Sequence, residues 1–274
     1  MISEILTASF LVGILASGIR LATPYLYASM GETLGQRSGV LNLGVEGQML
    51  LGAFAAFYVA LTTGNLWLGL LAAVAVGAAM GLAMAFVSVT LQAQQGISGI
   101  GFYLFGLGMS TLLFQMMMGT VETVSGFPPL YIPWLSDIPI LGEIFFSQNI
   151  LVYGAFLLVP IIQFILFKTN LGLKIRSVGE NPEAADTLGV SVSAVRYTTV
   201  TLGGILSAIA GASMSIATLN VFQQNMTSGL GFIAVALVYF GGWRPFGVML
   251  GALLFSMVNA LQLRLQVEGV AIPS

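Results

Sequence analysis

The chain has 274 residues, of which 57% are hydrophobic and only 7% are charged, and its mean hydropathy is +0.98. Because a water-soluble domain carries about 25% charged residues, this composition excludes a soluble protein and indicates an integral membrane protein. The absence of cysteine and histidine excludes disulfides, thiolate metal sites and the usual proton shuttle, and a net charge of -2 without a basic run argues against a nucleic-acid partner.

Eight apolar stretches are candidates for membrane helices, each of which needs roughly 20 residues to cross the hydrocarbon core. They are predicted at residues 5–30, 46–62, 66–91, 96–118, 150–167, 194–219, 229–240 and 247–263. The first stretch contains Arg20 and lacks a basic segment before it, so it is interpreted as a retained helix and not as a signal peptide. The sequence predicts an all-α, polytopic membrane bundle of about eight spans that forms a single domain over residues 1–274.

The stretch 229–240 is too short to cross a membrane alone. Either its helix begins earlier, near Val221, or the backbone is broken here within space that is lined by protein. Both alternatives keep the number of spans at eight.

Charged residues are concentrated in one segment, since seven of the eighteen lie in 168–196. Because Lys and Arg accumulate in cytoplasmic loops, this segment, Arg37 and Arg244 are predicted to be cytoplasmic, with the N-terminus outside and Arg264 as the exception. The proline-rich segment 121–149 contains three acidic residues and no basic one, and is predicted to be a structured extracytoplasmic loop.

A short capped helix is predicted inside the segment 168–196. Asn181 is a good N-cap, Pro182 suits the first helical position, and Glu183 and Asp186 favour the positive end of the helix dipole. Gly189 is a suitable stop after barely two turns.

This short helix is expected to expose Ala184, Ala185 and Leu188, because it has no core of its own against which to bury them. Such a surface would dock into a groove on a partner protein. The alternative is an ordinary amphipathic helix resting on lipid headgroups, which suits its acidic residues badly.

Polar side chains at membrane depth are costly and therefore mark functional or structural sites. Arg20 and Glu46 are expected to neutralise each other in a structural ion pair, with a substrate contact by Glu46 as the alternative. Asn42 and Gln48 are better candidates for the substrate pathway, because uncharged amides can bind hydroxyls and base edges without the desolvation cost of a charge.

A second group of amides lies at the mouth of a predicted span. It comprises Asn220, Gln223, Gln224 and Asn225. A substrate gate and a solvated loop are equally consistent with their position in the sequence.

Two motifs resemble those of a known family of transporters. Glu183, Ala184 and Ala185 followed by Gly189 resemble the EAA-xxx-G coupling motif of ABC importer permeases, which seats in a cleft of the ATPase subunit. Residues 37–52, RSGVLNLGVEGQMLLG, resemble the signature of permeases for branched-chain amino acids, simple sugars and nucleosides. The form of this stretch, together with residues 236–247 and 260–266, is most similar to the nucleoside branch.

The resemblance implies a permease subunit of an ATP-driven importer in the bacterial cytoplasmic membrane, with nucleosides or nucleobases as the expected substrates. Sugars and branched-chain amino acids remain alternatives, and an ATPase-independent secondary transporter is disfavoured because it has no use for a docking helix. The implied partners are a second permease subunit, two ATPase subunits and an extracytoplasmic binding protein, surrounded by lipid. Family members usually continue with a further span, so a ninth span is expected after Pro273.

This chain has no G-x-x-x-x-G-K-[ST] motif, so ATP and Mg²⁺ are expected to bind to a separate ATPase subunit. The sequence also contains no arrangement typical of a catalytic triad or a metal site. We therefore expect a transport subunit that has no catalytic residues and no cofactor of its own.

Overall fold

The computed structural model describes residues 8–131, 133–136 and 138–267, and it is a bundle of α-helices, as predicted. The helices are α1 (Ala8–Arg37), α2 (Val45–Thr63), α3 (Leu66–Ala85), α4 (Gln95–Met117), α5 (Leu141–Phe145), α6 (Ile150–Lys168), α7 (Asn170–Glu180), α8 (Pro182–Thr187), α9 (Val192–Ser213), α10 (Leu230–Phe240) and α11 (Pro245–Val267). α3 and α9 each continue into a π-helical turn, Phe86–Thr90 and Met214–Thr218 respectively.

Seven helical segments within the described ranges are long and apolar enough to span a membrane, and α10 is a shorter apolar helix of 11 residues. At 1.5 Å per residue, α10 is only about 16 Å long, roughly half the hydrocarbon thickness. The structure therefore contains seven candidate spans and one half-length helix. The expected ninth span lies outside the described residues.

The chain before α10 is not helical. Asn220, Asn225 and Ser228 have φ angles of +57°, +55° and +43°, and Gly229 has a φ of +91°. Residues in this left-handed region cannot continue a right-handed helix, so the alternative in which the helix begins near Val221 is wrong. Phe222 and Thr227 in this stretch are wholly buried, whereas Gln223, Gln224 and Asn225 between them are exposed, so the broken backbone is anchored in the protein at both sides of an exposed turn.

α9 is the central helix and packs against α1, α2 and α3. Glycines allow the backbones to approach closely. A Cβ atom added at Gly77 of α3 would lie 2.6 Å from the carbonyl oxygen of Gly204, and one added at Gly52 of α2 would lie 2.5 Å from the Cα of Ala208. Small residues thus bring three helices together without a hydrophobic driving force from the lipid.

Hydrogen bonds between loops identify one end of the bundle. Arg37 Nε donates to the carbonyl oxygen of Trp243 at 3.0 Å, and Arg196 Nε donates to that of Ser38 at 3.2 Å. These bonds bring the turns after α1 and α10 to the start of α9. Arg37, Arg244 and the segment 168–196 therefore share one end.

The loop 121–149 lies at the opposite end of the bundle. The backbone N–H of Val124 donates to the carbonyl oxygen of Asn220 at 3.0 Å, and Asn149 Nδ2 donates to that of Ala217 at 3.1 Å. The short helix α5 is part of this loop, which packs on the non-helical chain that leads into α10.

Candidate functional site

The helix α8 begins and ends at the residues that the sequence predicts. Asn181 is its N-cap, with Oδ1 accepting the backbone N–H of Ala184 at 3.0 Å, and Pro182 is the first helical residue. Gly189, just after the helix, has a φ of +79°, a conformation that favours glycine. The local chemistry of caps and turns accounts for where this helix begins and ends.

The surface of α8 differs from the predicted one at one residue. Glu183 and Ala184 are exposed, and Leu188 is 83% exposed. Ala185, which was expected to be exposed, is only 2% exposed and belongs to the main hydrophobic core together with Val178. The prediction failed because α8 rests on α7 and α9, so one face of this short helix does have a core against which to pack.

Glu46 lies in the first turn of α2 and is buried against the N-terminus of α10. Its Oε1 accepts the hydroxyl of Thr227 at 2.5 Å and the backbone N–H of Gly229 at 2.7 Å, and its Oε2 accepts the N–H of Gly231 at 2.6 Å. Two helix N-termini, each with a partial positive charge, thus converge on one carboxylate. The bonds hold the broken chain and α10 against α2.

The expected ion pair between Arg20 and Glu46 is not formed. Arg20 is exposed, and its Nε donates to Oε1 of Gln148 at 3.2 Å, at the end of the bundle that holds the loop 121–149. The partners of Glu46 are a hydroxyl and backbone N–H groups instead of a cation. The partner of Arg20 is the neutral amide of Gln148 instead of a carboxylate. The sequence could not show either partner, because both come from distant parts of the chain.

Asn42 and Gln48 are brought together as a buried amide pair. Asn42 Nδ2 donates to Oε1 of Gln48 at 3.1 Å, while Asn42 Oδ1 accepts the backbone N–H of Gly44 at 2.9 Å. Gln48 is wholly buried, and its Nε2 has no hydrogen-bond partner among the residues that the structure describes. A buried amide donor without a partner costs about 1–3 kcal/mol, so the fold alone does not explain why Gln48 is there.

The outer amides are separate from this pair. Gln223, Gln224 and Asn225 are exposed, in the segment between the π-helical turn of α9 and α10. Asn220 is half-buried, and no described residue forms a hydrogen bond with its Oδ1. The same segment continues to Thr227, so it joins the exposed amides to the bonds of Glu46.

One polar residue at this site was missed by the sequence analysis. α1 continues to Arg37, seven residues beyond its predicted end, and the extension contains Glu32, which is only 2% exposed. Its Oε1 accepts Gln36 Nε2 at 2.9 Å and the backbone N–H of Asn42 at 3.0 Å. The i, i+4 spacing of Glu32 and Gln36 was the available signal, because it allows one helix to pair its own polar side chains.

Comparisons with known proteins agree with this architecture. Residues 4–268 match the family described as branched-chain amino acid transport system / permease component. A putative glucose ABC transporter permease of Haloferax volcanii is 43% identical over 268 residues, which are 96% of this chain and 81% of that protein. A guanosine ABC transporter permease of Bacillus subtilis is 38% identical over 88% of this chain and 79% of its own length.

A nucleoside ABC transporter permease of Lactococcus lactis is 36% identical, over 90% of this chain and 81% of its own length. No solved structure matches the chain significantly. The matched region includes every helix from α1 to the end of α11, and with it both the buried polar groups and the segment 168–196. This chain therefore belongs to the family of branched-chain amino acid transport permeases and is an ABC transporter permease.

Proposed function

We propose that this permease forms the path through which an ATP-driven importer carries nucleosides across the bacterial cytoplasmic membrane. Two relatives, 38% and 36% identical, are named as guanosine and nucleoside permeases. The observation that carries the proposal is the buried amide pair of Asn42 and Gln48, which flanks in the sequence Glu46, the residue that binds the broken segment before α10. Broken helices that line a cavity are typical of transport sites near the midplane of the bilayer.

An uncharged amide site suits a nucleoside for a physical reason. Ribose hydroxyls and base edges both donate and accept hydrogen bonds, and the side chains of Asn and Gln can do the same. The free Nε2 of Gln48 is an unused donor at this site. Substrate would satisfy this donor as it passes, while the lack of a full charge keeps binding weak enough for release.

In the proposed assembly the chain pairs with a second permease subunit, two ATPase subunits and an extracytoplasmic binding protein. The exposed face of α8, with Ala184 and Leu188, would seat in the ATPase subunit. The loop 121–149, at the opposite end and with Glu122 and Glu143 exposed, would receive the binding protein. ATP-driven closure of the ATPase subunits would then rock the bundle around the amide pair.

The test is uptake by the complete transporter in proteoliposomes. Guanosine, adenosine, glucose and leucine are offered singly and in competition. We expect ATP-dependent uptake of the two nucleosides and little of leucine. Glucose is the second candidate substrate, because the glucose permease relative is 43% identical. Uptake of glucose without either nucleoside would replace the nucleoside proposal with a sugar one.

The role of Gln48 is tested by Gln48→Met, which keeps the length of the side chain and removes both the unpaired donor and the oxygen that accepts Asn42 Nδ2. Asn42→Ala in the same background removes the donor that this change leaves unpaired, and is the matched control. If Gln48 only packs, uptake by the folded variants is nearly unchanged. If it binds substrate, uptake falls about tenfold, the effect of one lost hydrogen bond of roughly 1.4 kcal/mol. Thermal unfolding of the purified variant in detergent shows whether the fold is intact, and wild-type uptake would remove Gln48 from the pathway.

A further inference from the structure

A chain of hydrogen bonds runs from the last turns of α1 to the turn between α10 and α11. Glu32 Oε1 accepts both Gln36 Nε2 at 2.9 Å and the backbone N–H of Asn42 at 3.0 Å. Gln36 Oε1 accepts the indole Nε1–H of Trp243 at 2.7 Å. The two side chains of α1 therefore bind the segment that leads into α2 and the turn that follows α10, and we call these bonds the Glu32 relay.

This relay completes the attachment of the half-length helix α10. At its N-terminal end, α10 is bound through Gly229 and Gly231 to the carboxylate of Glu46. At its C-terminal end, Trp243 is bound through its indole to Gln36 and through its carbonyl oxygen to Arg37. α10 is thus tied at both ends to polar groups of the region that contains the buried amides. These bonds couple a displacement of α10 to that region.

The same end of α1 is in close contact with α7 in the segment 168–196. The guanidinium groups of Arg37 and Arg176 both lie over the ring of Phe167, at 5.6 Å and 5.2 Å from its centroid. A Cβ atom added at Gly179 of α7 would lie 2.1 Å from the carbonyl oxygen of Arg37. The backbones touch here, so a displacement of α7 cannot be absorbed by side chains alone and must reach α1.

We infer that the Glu32 relay transmits the motion of the segment 168–196 to α10, with Glu32 and Gln36 as positioning residues for transport. This inference rests on the proposed function and adds to it the route between the ATPase face and the substrate path. Within the described part of the chain, the hydrogen-bond partners of Glu32 are two neutral donors, Gln36 Nε2 and the backbone N–H of Asn42. Burying a carboxylate costs free energy. Its retention here is explained if Glu32 positions the segment that leads into α2 and, through Gln36, the turn that follows α10.

The first test exchanges the carboxylate at position 32 and the amide at position 36. Gln36→Glu alone places two carboxylates in contact, so we expect uptake by the reconstituted transporter to fall about tenfold or more. Adding Glu32→Gln restores one amide and one carboxylate. The exchanged pair can still accept from Asn42 and Trp243, so we expect uptake to return to within about threefold of wild type. Failure of the double variant to recover, with wild-type thermal unfolding, would overturn the relay.

The second test separates transmission from stability. Trp243→Phe removes the indole N–H and keeps an aromatic ring beside Tyr239, whose ring centroid is 5.1 Å away. We expect normal thermal unfolding and normal ATP hydrolysis without substrate, but several-fold less substrate moved per ATP. An unchanged ratio of substrate to ATP would contradict the inference, because a purely structural bond would change stability and not this ratio.

A third measurement does not need transport at all. The chain has three tryptophans, so replacing Trp67 and Trp134 by Phe leaves Trp243 as its only indole. We expect its emission, followed in single-tryptophan permease assembled with tryptophan-free partner subunits, to shift when ATP and vanadate are added, and the shift to disappear in Gln36→Leu. No shift in the parent protein would overturn the relay. Absence of uptake for every substrate offered, with the shift present, would instead overturn only the proposed function.

Discussion

A buried carboxylate in a membrane protein must find hydrogen-bond donors, but those donors need not be cationic. Glu46 is bound by one hydroxyl and two backbone N–H groups, and the positive end of α10 supplies the remaining stabilisation. The carboxylate of Glu46 therefore caps the N-terminus of α10 and is not one partner of a salt bridge. Its loss would free the start of α10 as well as remove a charge.

Thr227 provides a clean test of this arrangement. Thr227→Val has nearly the same shape and removes the hydroxyl that donates to Glu46 at 2.5 Å. We expect the variant to be less stable by about 2 kcal/mol, since a hydrogen bond to a charged group is worth about 1.5–3 kcal/mol. Thermal unfolding in detergent measures the loss. Thr227→Ser, which keeps the hydroxyl, is the control, and equal stability of both variants would show that the bond contributes nothing.

The residues of the site differ in how well they could be predicted. Asn42 and Gln48 were predicted for the substrate pathway because uncharged amides can bind hydroxyls without the desolvation cost of a charge, and the structure brings the two together as one buried pair. Glu32 was missed because the first predicted span ends at residue 30, two residues before it. The bond between Glu32 and Gln36, four residues apart, instead lets α1 continue to Arg37.

At the scale of elements, α8 is a helix with one buried and one exposed face. Leu188→Asp changes a side chain that is 83% exposed, so the fold should be unaffected. If this face docks into the ATPase, an unpaired charge there is costly, and we expect the ATPase to be lost on co-purification and uptake to fall more than tenfold. Normal uptake by Leu188→Asp would contradict the docking surface.

Ala185→Arg is the informative comparison for that experiment. Ala185 is 2% exposed, so the large charged side chain has no room and must disturb the packing of α8 on α7 and α9. We expect this variant to unfold at lower temperature, whereas Leu188→Asp should not. The pair of variants therefore separates a docking defect from a folding defect.

The contact between α3 and α9 depends on glycine. A Cβ atom at Gly77 would lie 2.6 Å from the backbone of Gly204, so Gly77→Val should force the helices apart. We expect a loss of several kcal/mol and poor accumulation in the membrane. Gly108→Val on α4 is the control, because no atom of the described residues lies within 4 Å of its added Cβ. The amounts of folded protein recovered in detergent compare the two, and similar amounts would refute the packing argument.

At the scale of the whole molecule, the two ends of the bundle should face opposite compartments. Because the chain has no cysteine, single-cysteine variants carry no background from this subunit. Leu188→Cys and Leu130→Cys place thiols at exposed positions at the two ends, 83% and 46% exposed in the wild type. In oriented vesicles we expect an impermeant maleimide to label Leu188→Cys from the cytoplasmic side and Leu130→Cys from outside. The reverse pattern would invert the predicted orientation.

The sequence by itself determined the class of the protein and the approximate positions of its long helices, although α1 ends seven residues later than predicted. Hydrophobic runs need no tertiary information, since the lipid imposes their length on each helix separately. The caps of α8 were equally local, because Asn181 and Gly189 act within a few residues of themselves.

Only the tertiary structure decided which polar groups meet. Glu46 and Gly231 are 185 residues apart, and Arg20 and Gln148 are 128 apart, so no local pattern joins them. Two further features depend on neighbouring helices. Ala185 is buried because α7 and α9 supply a core for it, and the broken chain before α10 is held by its hydrogen bonds to Glu46 of α2. The position of a polar side chain within an apolar stretch shows that it requires a hydrogen-bond partner. Only the packing of the helices determines which group that partner is.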